Sequence, residues 1–251
     1  LVRDAGSEVL PLSPVGGSVL GARAAMLAGV SGSIAAASTI ADLTLELLAK
    51  LAFTALGLVW LVHLRPGSPF AWPVVLGLAA ACVVTAGFVL AQRRGALVAD
   101  WLAVRLGRGW AERTAAGAAA LQASLERVYR LRGGLWRGFA LHLACWIGGA
   151  GEAWIALQLI DAPLPVGSVL VVESLVYAVR TVAVVVPNAV GVQEGAYIVV
   201  GAAFGLSPQT ALALSLIKRA RDLAIGLPAI GVWQAVESGR FWRRAALRRK
   251  P

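Results

Sequence analysis

The chain has 251 residues, of which 59% are hydrophobic and 14% charged, and its formal net charge is +10. Soluble domains carry about 25% charged residues, so this composition excludes an ordinary soluble protein and predicts an all-α, polytopic transmembrane helix bundle. A strongly basic chain can also be a nucleic-acid-binding protein. Here the arginines stand between apolar segments, as they do in membrane proteins, and we expect no nucleic-acid partner.

The apolar segments, taken in chain order, predict the helices. The chain opens at Leu1 rather than at a methionine, and we expect one or two further spans before it. A Gly/Ala-rich segment at 15–41 follows. Helix breaks are expected at Pro11, before this segment, and at Gly16 and Gly17, at its start. About 20 apolar residues cross a bilayer as a helix, and four segments qualify: 44–64, 70–91, 136–160 and 210–233. A further apolar stretch, 166–206, is interrupted near Pro187.

The connecting segments differ in charge. Residues 92–137 contain nine arginines and three acidic residues, and basic residues also dominate the tail at 235–251, whereas the links 65–69 and 161–165 are nearly free of positive charge. The positive-inside rule therefore places the 92–137 loop and the C-terminal tail in the cytoplasm. With 161–165 outside, the stretch 166–206 must cross an even number of times, either as two full passes or as a re-entrant hairpin.

The arginine-rich loop has its own pattern. Leu121, Leu125 and Val128 recur at helical spacing among the arginines. This pattern is typical of an amphipathic helix lying on an anionic leaflet. A solvated connector between spans explains it equally well, and the sequence leaves both interpretations open.

Two distant parts of the chain match at a constant offset. Pro11 and Pro187 are 176 residues apart, and the same offset aligns Gly29 with Gly205 without a gap. In the orientation given above, the helices that follow the two copies run in opposite directions. The sequence therefore predicts an inverted repeat, whose two copies usually meet at the substrate site of a transporter.

One carboxylate lies deep in an apolar stretch. Glu194 is preceded by Pro187 and Gly191 and followed by Gly195, and we expect these three residues to break the helix. A charged group at bilayer depth is costly and usually marks a pathway or a binding site. The structural alternative is a carboxylate at a helix terminus, where it would accept a hydrogen bond from a free backbone N–H.

The last apolar segment is interrupted by four charged residues. Lys218 and Asp222 are four positions apart and are expected to pair on one helix face. Arg219 and Arg221 are then left for Glu194 or for an anionic headgroup, because the guanidinium fork fits phosphate. The candidate lipid-binding residues are Arg180, Asn188, Gln193, Glu194, Tyr197, Lys218, Arg219, Arg221 and Asp222. Further charged residues in apolar runs are Arg23, Asp42, Glu46, Glu152 and Glu173, of which Asp42 and Glu46 are expected to neutralise Lys50.

The sequence contains no motif that indicates catalysis. It has no P-loop, GxSxG, HExxH or dinucleotide-binding fingerprint. Cys82, Cys145, His63 and His142 do not have the spacing of metal ligands. We therefore expect no enzyme activity, no cofactor and no metal site.

Two motifs carry a family resemblance. Residues 10–17 (LPLSPVGG), followed by 21–23 (GAR), resemble the first motif of the lysylphosphatidylglycerol synthase transmembrane (flippase-like) family, and 186–197 (VPNAVGVQEGAY) resemble the second. The closest branch is that of the membrane proteins associated with hopanoid biosynthesis. The family commonly has an acid after the paired glycines, where this chain has Ser18, and that departure implies reduced or altered activity.

The resemblance implies an integral protein of the bacterial inner membrane that moves lipids between leaflets, with a link to hopanoids. The resemblance also implies that the aminoacyl-transferase half of the full synthase is missing, so lipid aminoacylation is not expected. Two other functions remain open from the residues. One is an ion-coupled transporter of a small solute that uses Glu194, and the other is a non-transporting subunit that organises lipid-biosynthesis proteins through its arginine-rich loop. The sequence does not indicate an oligomeric state.

Overall fold

The computed structural model describes residues 13–94, 108–183, 186 and 189–248. Within these residues the chain forms helices and turns and contains no strand, which confirms the predicted all-α fold. In chain order the described helices are α1 (Ser13–Leu27), α2 (Gly32–Leu64), α3 (Ala71–Arg93), α4 (Arg108–Arg130), α5 (Arg132–Leu159), α6 (Val166–Val182), α7 (Val192–Ala202) and α8 (Pro208–Arg248).

Three of these helices, α2, α3 and α5, are long and apolar enough to cross a membrane. They correspond to three of the four predicted spans. The fourth, 210–233, lies inside α8, which is not one of the three because four charged residues interrupt its apolar sequence. Helix α3 shows the membrane character most clearly, since Thr85 is its single buried residue while Leu76, Val83 and Val84 are exposed. An outward apolar surface of this kind suits contact with lipid.

Contacts at the two ends of the bundle show that α2 and α8 run in opposite directions. The guanidinium of Arg65, just after α2, lies 5.1 Å from the ring of Phe204, just before α8. At the other end Arg23, shortly before α2, forms a 2.7 Å ion pair with Glu237 near the end of α8. We call this second end the basic end, because the arginine-rich termini of α3, α4 and α8 lie there. The 33 residues of α2 span about 50 Å, enough for a bilayer with its headgroup regions.

Helices α6 and α7 form a hairpin that enters and leaves at the end opposite the basic one. Helix α6 begins there, with Gly167 packed against the indole of Trp60, and α7 ends there beside Phe204. The 17 residues of α6 span about 26 Å and the 11 residues of α7 about 17 Å, less than the ~30 Å hydrocarbon core. Of the two arrangements open from the sequence, the re-entrant hairpin therefore fits the structure. Pro187 lies outside the described residues.

The predicted repeat has a counterpart in backbone geometry. Gly29 (φ +96°) and Gly205 (φ +87°) both adopt a left-handed conformation, and they are 176 residues apart. Helices α2 and α8 begin three residues after these glycines, at Gly32 and Pro208, again 176 residues apart. Equivalent turns followed by antiparallel helices are what an inverted repeat requires.

Two of the predicted helix breaks in the first copy are wrong. Helix α1 runs without interruption through Gly16 and Gly17. Glycine weakens a helix by only about 1 kcal/mol relative to alanine, and tertiary packing readily outweighs that amount. Gly17 is buried, so a small residue at this position serves close packing. The remaining break predicted in this copy, at Pro11, lies outside the described residues.

The arginine-rich loop contains an amphipathic helix that packs on the bundle at the basic end. Leu125 of α4 is buried, and the hydroxyl of Tyr129 donates a short hydrogen bond to the side-chain oxygen of Gln92 at the end of α3. The amide of Gln92 in turn donates to Thr44 Oγ1 on α2 at 3.0 Å. The helix predicted in this loop is thus present and is joined to two apolar helices. Residues 95–107 of the loop lie outside the described residues.

Candidate functional site: an ion-paired hairpin tip

Glu194 lies in the first turn of α7, at the point where the chain returns from the hairpin tip. Its carboxylate accepts a 2.7 Å hydrogen bond from the backbone N–H of Gly191, the residue before the helix. Gly191 has φ +79°, a conformation that favours glycine, and this allows the sharp entry into the helix. A carboxylate in this place satisfies a free N–H and is stabilised by the positive end of the helix dipole. Glu194 is therefore a carboxylate at a helix terminus that accepts a hydrogen bond from a backbone N–H, which was the structural alternative given in the sequence analysis.

The same carboxylate also binds the last helix. Arg219 of α8 donates from Nε to Glu194 Oε1 at 2.5 Å and from Nη2 to Oε2 at 3.3 Å, a two-point contact. Ser215 Oγ lies 3.5 Å from Oε1 and receives a 2.8 Å hydrogen bond from the amide of Gln193. Gly191, Gln193, Glu194, Ser215 and Arg219 together form what we call the tip clamp. The side chains of Glu194 and Arg219 are 18% and 17% exposed, so the pair is sheltered but reachable.

The tip clamp lies well inside the bundle. Glu194 is eight residues from the end of α7, which places it about 12 Å from the end opposite the basic one. Arg219 is eleven residues, about 17 Å, from the start of α8 at that same end. Both distances are shorter than the thickness of a hydrocarbon core, which is about 30 Å.

A buried network lies next to the tip clamp. Lys218 Nζ is 2.6 Å from Glu173 Oε2 of α6, with side chains 3% and 0% exposed, and it also donates to the carbonyl oxygen of Gly149 at 3.2 Å. The other carboxylate oxygen of Glu173 accepts a 2.6 Å hydrogen bond from Tyr197. Glu173, Tyr197 and Lys218 are the buried triad. Every charge in it is paired and hydrogen-bonded, as charges so far from water need to be.

The predicted pairing of Lys218 with Asp222 is wrong. Lys218 extends to Glu173 on another helix, while Asp222 pairs with its neighbour Arg221 at 2.9 Å. Arg221 also forms an ion pair with Glu152 of α5, its Nε donating to Oε1 at 2.8 Å. A local i,i+4 pair is worth only about 0.2–0.5 kcal/mol, far less than the penalty for leaving the buried Glu173 carboxylate without a cation.

The chain matches the family described as the lysylphosphatidylglycerol synthase TM region over residues 1–229. The chain belongs to this family. No curated protein and no solved structure matches it. The match includes the α6–α7 hairpin and all of the tip clamp, so the ion-paired site lies within the part of this lysylphosphatidylglycerol synthase TM-region protein that the family model covers.

The other predicted site residues of this family member lie around the triad or outside the described residues. The guanidinium of Arg180 lies 5.6 Å from the ring of Tyr177, and Lys218 lies 5.5 Å from the same ring, so Arg180 is close to the triad but not part of the clamp. Asn188 lies outside the described residues. Gly195 is within α7 and does not break it, so that prediction is wrong.

Sequence reasoning did not select Glu173 or Glu152 as site residues, although both supply partners to α8. Comparing the number of basic residues with the number of acids assigned to them would have pointed to both. Each basic residue of the interrupted α8 segment needs an acid in an apolar surrounding, and only Glu194 and Asp222 had been matched to that segment. The acids within the neighbouring apolar helices are the remaining candidates, and both are used in the structure.

The structure also bears on metal binding and on cavities. Among the described residues, no group of three or more His, Cys, Asp or Glu could hold a metal ion. Two cavities, of about 620 and 360 Å³, lie at the basic end, one along 231–238 of α8 and one between α3 and α4. The residues of the tip clamp line neither of these two cavities.

Proposed function

We propose that this protein translocates an amphipathic lipid between membrane leaflets, with the tip clamp as its headgroup site. The observation that carries the proposal is the Glu194–Arg219 ion pair, which joins the tip of a re-entrant hairpin to α8 within the membrane. Broken helices whose termini meet charged groups near the middle of the bilayer are the usual substrate sites of transporters. Membership of a lipid-related membrane family supports a lipid as the substrate.

The chemistry of the pair suits exchange with a phosphate. The guanidinium of Arg219 presents a planar fork that binds carboxylate and phosphate in the same two-point geometry. A headgroup phosphate can therefore replace the Glu194 carboxylate without leaving the arginine uncompensated in an apolar surrounding. Glu194 keeps the hydrogen bond from Gly191 meanwhile, so its own charge stays solvated by the helix terminus.

The buried triad has a different role in this mechanism. Lys218 and Glu173 are almost completely inaccessible and hold α8 against α5 and α6. We assign them to the static part of the bundle, against which the hairpin tip moves. In this proposal the protein performs no covalent chemistry and uses no cofactor, and membrane lipids are its partners. We place it in the bacterial inner membrane with the basic end in the cytoplasm, because arginines concentrate there.

The proposal is tested with purified protein in liposomes that contain a trace of fluorescent phosphatidylglycerol, whose exposure is read by dithionite quenching. We expect the protein to move the lipid across the bilayer. Glu194→Gln should slow the movement about tenfold or more, because the carboxylate that displaces the phosphate from Arg219 on release is lost, and a charge-assisted bond is worth about 1.5–3 kcal/mol. Arg219→Gln removes the phosphate ligand and should slow it at least as much. Glu152→Gln, which alters a more exposed ion pair, is the matched control and should retain most of the rate.

The outcomes separate the competing functions. Wild-type vesicles that move lipid no faster than protein-free vesicles would overturn the proposal. Uptake of a small solute that follows a proton or sodium gradient, without lipid movement, would favour the ion-coupled transporter. A normal rate in Glu194→Gln would exclude the tip clamp as the site. Repeating the assay with a labelled hopanoid that lacks phosphate tests the hopanoid link, since the exchange mechanism needs a phosphate for Arg219.

A further inference from the structure

The cavity of about 360 Å³ at the basic end lies between the ends of α3 and α4. Arg93 of α3 and Arg130 of α4 line it, together with Gln122 and Glu126 of α4. Both arginines are exposed, and neither forms an ion pair with an acid among the residues that the structure describes. Two guanidinium groups on one cavity are therefore left to bind a ligand.

The chemistry of the lining fits the phosphate of a phospholipid. The formal charges of two arginines and one glutamate leave one positive charge, which a phosphate diester with its single negative charge balances. Each guanidinium binds phosphate through two parallel N–H donors, and the amide of Gln122 can donate to a further oxygen. A choline headgroup would bring another cation to the arginines, whereas a glycerol headgroup brings none, so an anionic phospholipid fits better than a zwitterionic one.

The length of α3 places Arg93 at the level of the headgroups. Trp72, exposed near the start of this helix, and Arg93, at its end, are 21 positions apart, which corresponds to about 32 Å. This length matches a hydrocarbon core of about 30 Å, and tryptophan prefers the interface between that core and water. Trp136, exposed near the start of α5 at the basic end, fits the same boundary. Arg93 therefore lies where the phosphates of the leaflet at the basic end are found.

An apolar surface leads along α3 to the cavity. Leu76, Val83 and Leu90 are exposed and follow one another at intervals of seven residues, so they form a stripe on one face of the helix. Arg93 follows Leu90 by three positions, which places it next to the end of the stripe. From Leu76 to Leu90 the stripe is about 21 Å long, more than the ~15 Å thickness of one leaflet's hydrocarbon. An acyl chain can therefore lie on α3 while the phosphate of the same lipid reaches the cavity.

We infer that the α3–α4 cavity binds the phosphate of an anionic phospholipid from the leaflet at the basic end, with the acyl chains on the apolar stripe of α3. This lipid contacts both helices and holds α4 against the bundle, as the hydrogen bond from Tyr129 to Gln92 also does. None of the tip-clamp residues lines the cavity, so the site is separate from the proposed translocation site and does not depend on lipid movement.

The first test follows hydrogen exchange of the full chain in a neutral detergent during a titration with dioleoyl phosphatidylglycerol. Because the lipid binds only while α4 is docked, exchange in residues 117–130 should slow about tenfold at a lipid concentration of about ten times the Kd. Dioleoyl phosphatidylcholine has the same chains without net charge, and glycerol 1-phosphate has the phosphate without chains. Each of these two should slow the exchange less than about twofold.

Equal protection by the two lipids, equal protection by glycerol 1-phosphate, or no protection by phosphatidylglycerol overturns the inference. Exchange in residues 192–202, which contain the hairpin side of the tip clamp, is read in the same experiment. Protection of α4 without protection of α7 would count against the proposed headgroup site and support this one. The reverse result would count against this site alone.

The second test compares two double variants that remove equal charge. Arg93→Gln/Arg130→Gln should weaken the affinity for phosphatidylglycerol, read from the same titration, about tenfold or more, because two charge-assisted contacts are lost. Arg94→Gln/Arg127→Gln is the matched control, since both of its arginines are exposed but neither lines the cavity, and it should weaken the affinity less than about threefold.

Equal losses in the two double variants would show a general attraction to basic residues and refute a defined site. Exchange of each variant without lipid shows whether α4 still docks. The single variant Arg93→Lys gives a further reading that does not depend on the double variants, since it keeps the charge and removes the planar fork. It should weaken the affinity about threefold or more, and an unchanged affinity would contradict two-point binding of the phosphate.

Discussion

The buried Glu173–Lys218 pair offers a test of how the bundle is held together. We consider Lys218→Met, which keeps the approximate length of the side chain and removes its charge. The two charged atoms are 2.6 Å apart, which corresponds to an attraction of about 6 kcal/mol at an effective dielectric constant of about 20, before the penalty for desolvating both groups. The variant leaves the Glu173 carboxylate buried, with the hydroxyl of Tyr197 as its remaining hydrogen-bond donor among the described contacts. We expect a loss of about 3–5 kcal/mol in the free energy of unfolding.

The double variant Lys218→Met/Glu173→Leu should recover most of that loss, because a buried ion pair can be replaced by well-packed apolar residues at little cost. Unfolding in mixed micelles with increasing dodecyl sulfate, followed by the loss of helical circular dichroism, measures Lys218→Met, Glu173→Leu and the double variant. Arg221→Met is the control: its ion pair with Glu152 is 42% and 33% exposed, and its removal should cost no more than about 1 kcal/mol. A loss below about 1 kcal/mol in Lys218→Met, or single losses that simply add in the double variant, would refute this account.

Four further variants test individual contacts, the three glycine variants by the same unfolding measurement and the tyrosine variant by hydrogen exchange. Gly57→Ala should destabilise the protein by about 1–3 kcal/mol, since an added Cβ would lie 1.7 Å from the Ser174 hydroxyl on α6. Its control is Gly77→Ala, which has open space around the added Cβ and should be neutral or slightly stabilising. Gly205→Ala should cost about 1–2 kcal/mol because of its left-handed backbone, and an unchanged midpoint would contradict the turn described here. Tyr129→Phe should weaken the attachment of α4 by about 1 kcal/mol, seen as faster hydrogen exchange in that helix, and equal exchange would argue against the contact.

Much of the fold could be predicted from the sequence because the membrane imposes a simple rule. Apolar runs of about 20 residues have one stable arrangement in lipid, a helix, and three of the four predicted spans appear as such helices. The turn glycines at 29 and 205 were also identifiable, because the constant offset of 176 residues aligned them. The apolar runs follow from local composition, and the turn glycines follow from comparing the chain with itself. A single sequence is enough for both.

The pairing of charges was predicted less well, because it depends on which helices are neighbours. Arg219 was assigned Glu194 as one of two possible partners, and the structure pairs them. Lys218 was assigned Asp222 by helical spacing, whereas its true partner, Glu173, lies 45 residues earlier on another helix. A spacing rule can find a partner on the same helix, but it cannot compare that partner with one brought close by tertiary packing.

The two copies of the repeat share their backbone geometry but not their chemistry. In the second copy Glu194 and Arg219 form the tip clamp, and the positions 176 residues earlier are Ser18 and Leu43, which cannot form an ion pair. Instead the first copy places Asp42 against His142 on α5, where the second copy has Lys218. The ion pair of the tip clamp is therefore confined to one of the two copies. In the proposed mechanism a headgroup phosphate can exchange with a carboxylate bound to arginine in the second copy, and the corresponding positions of the first copy cannot support the same exchange.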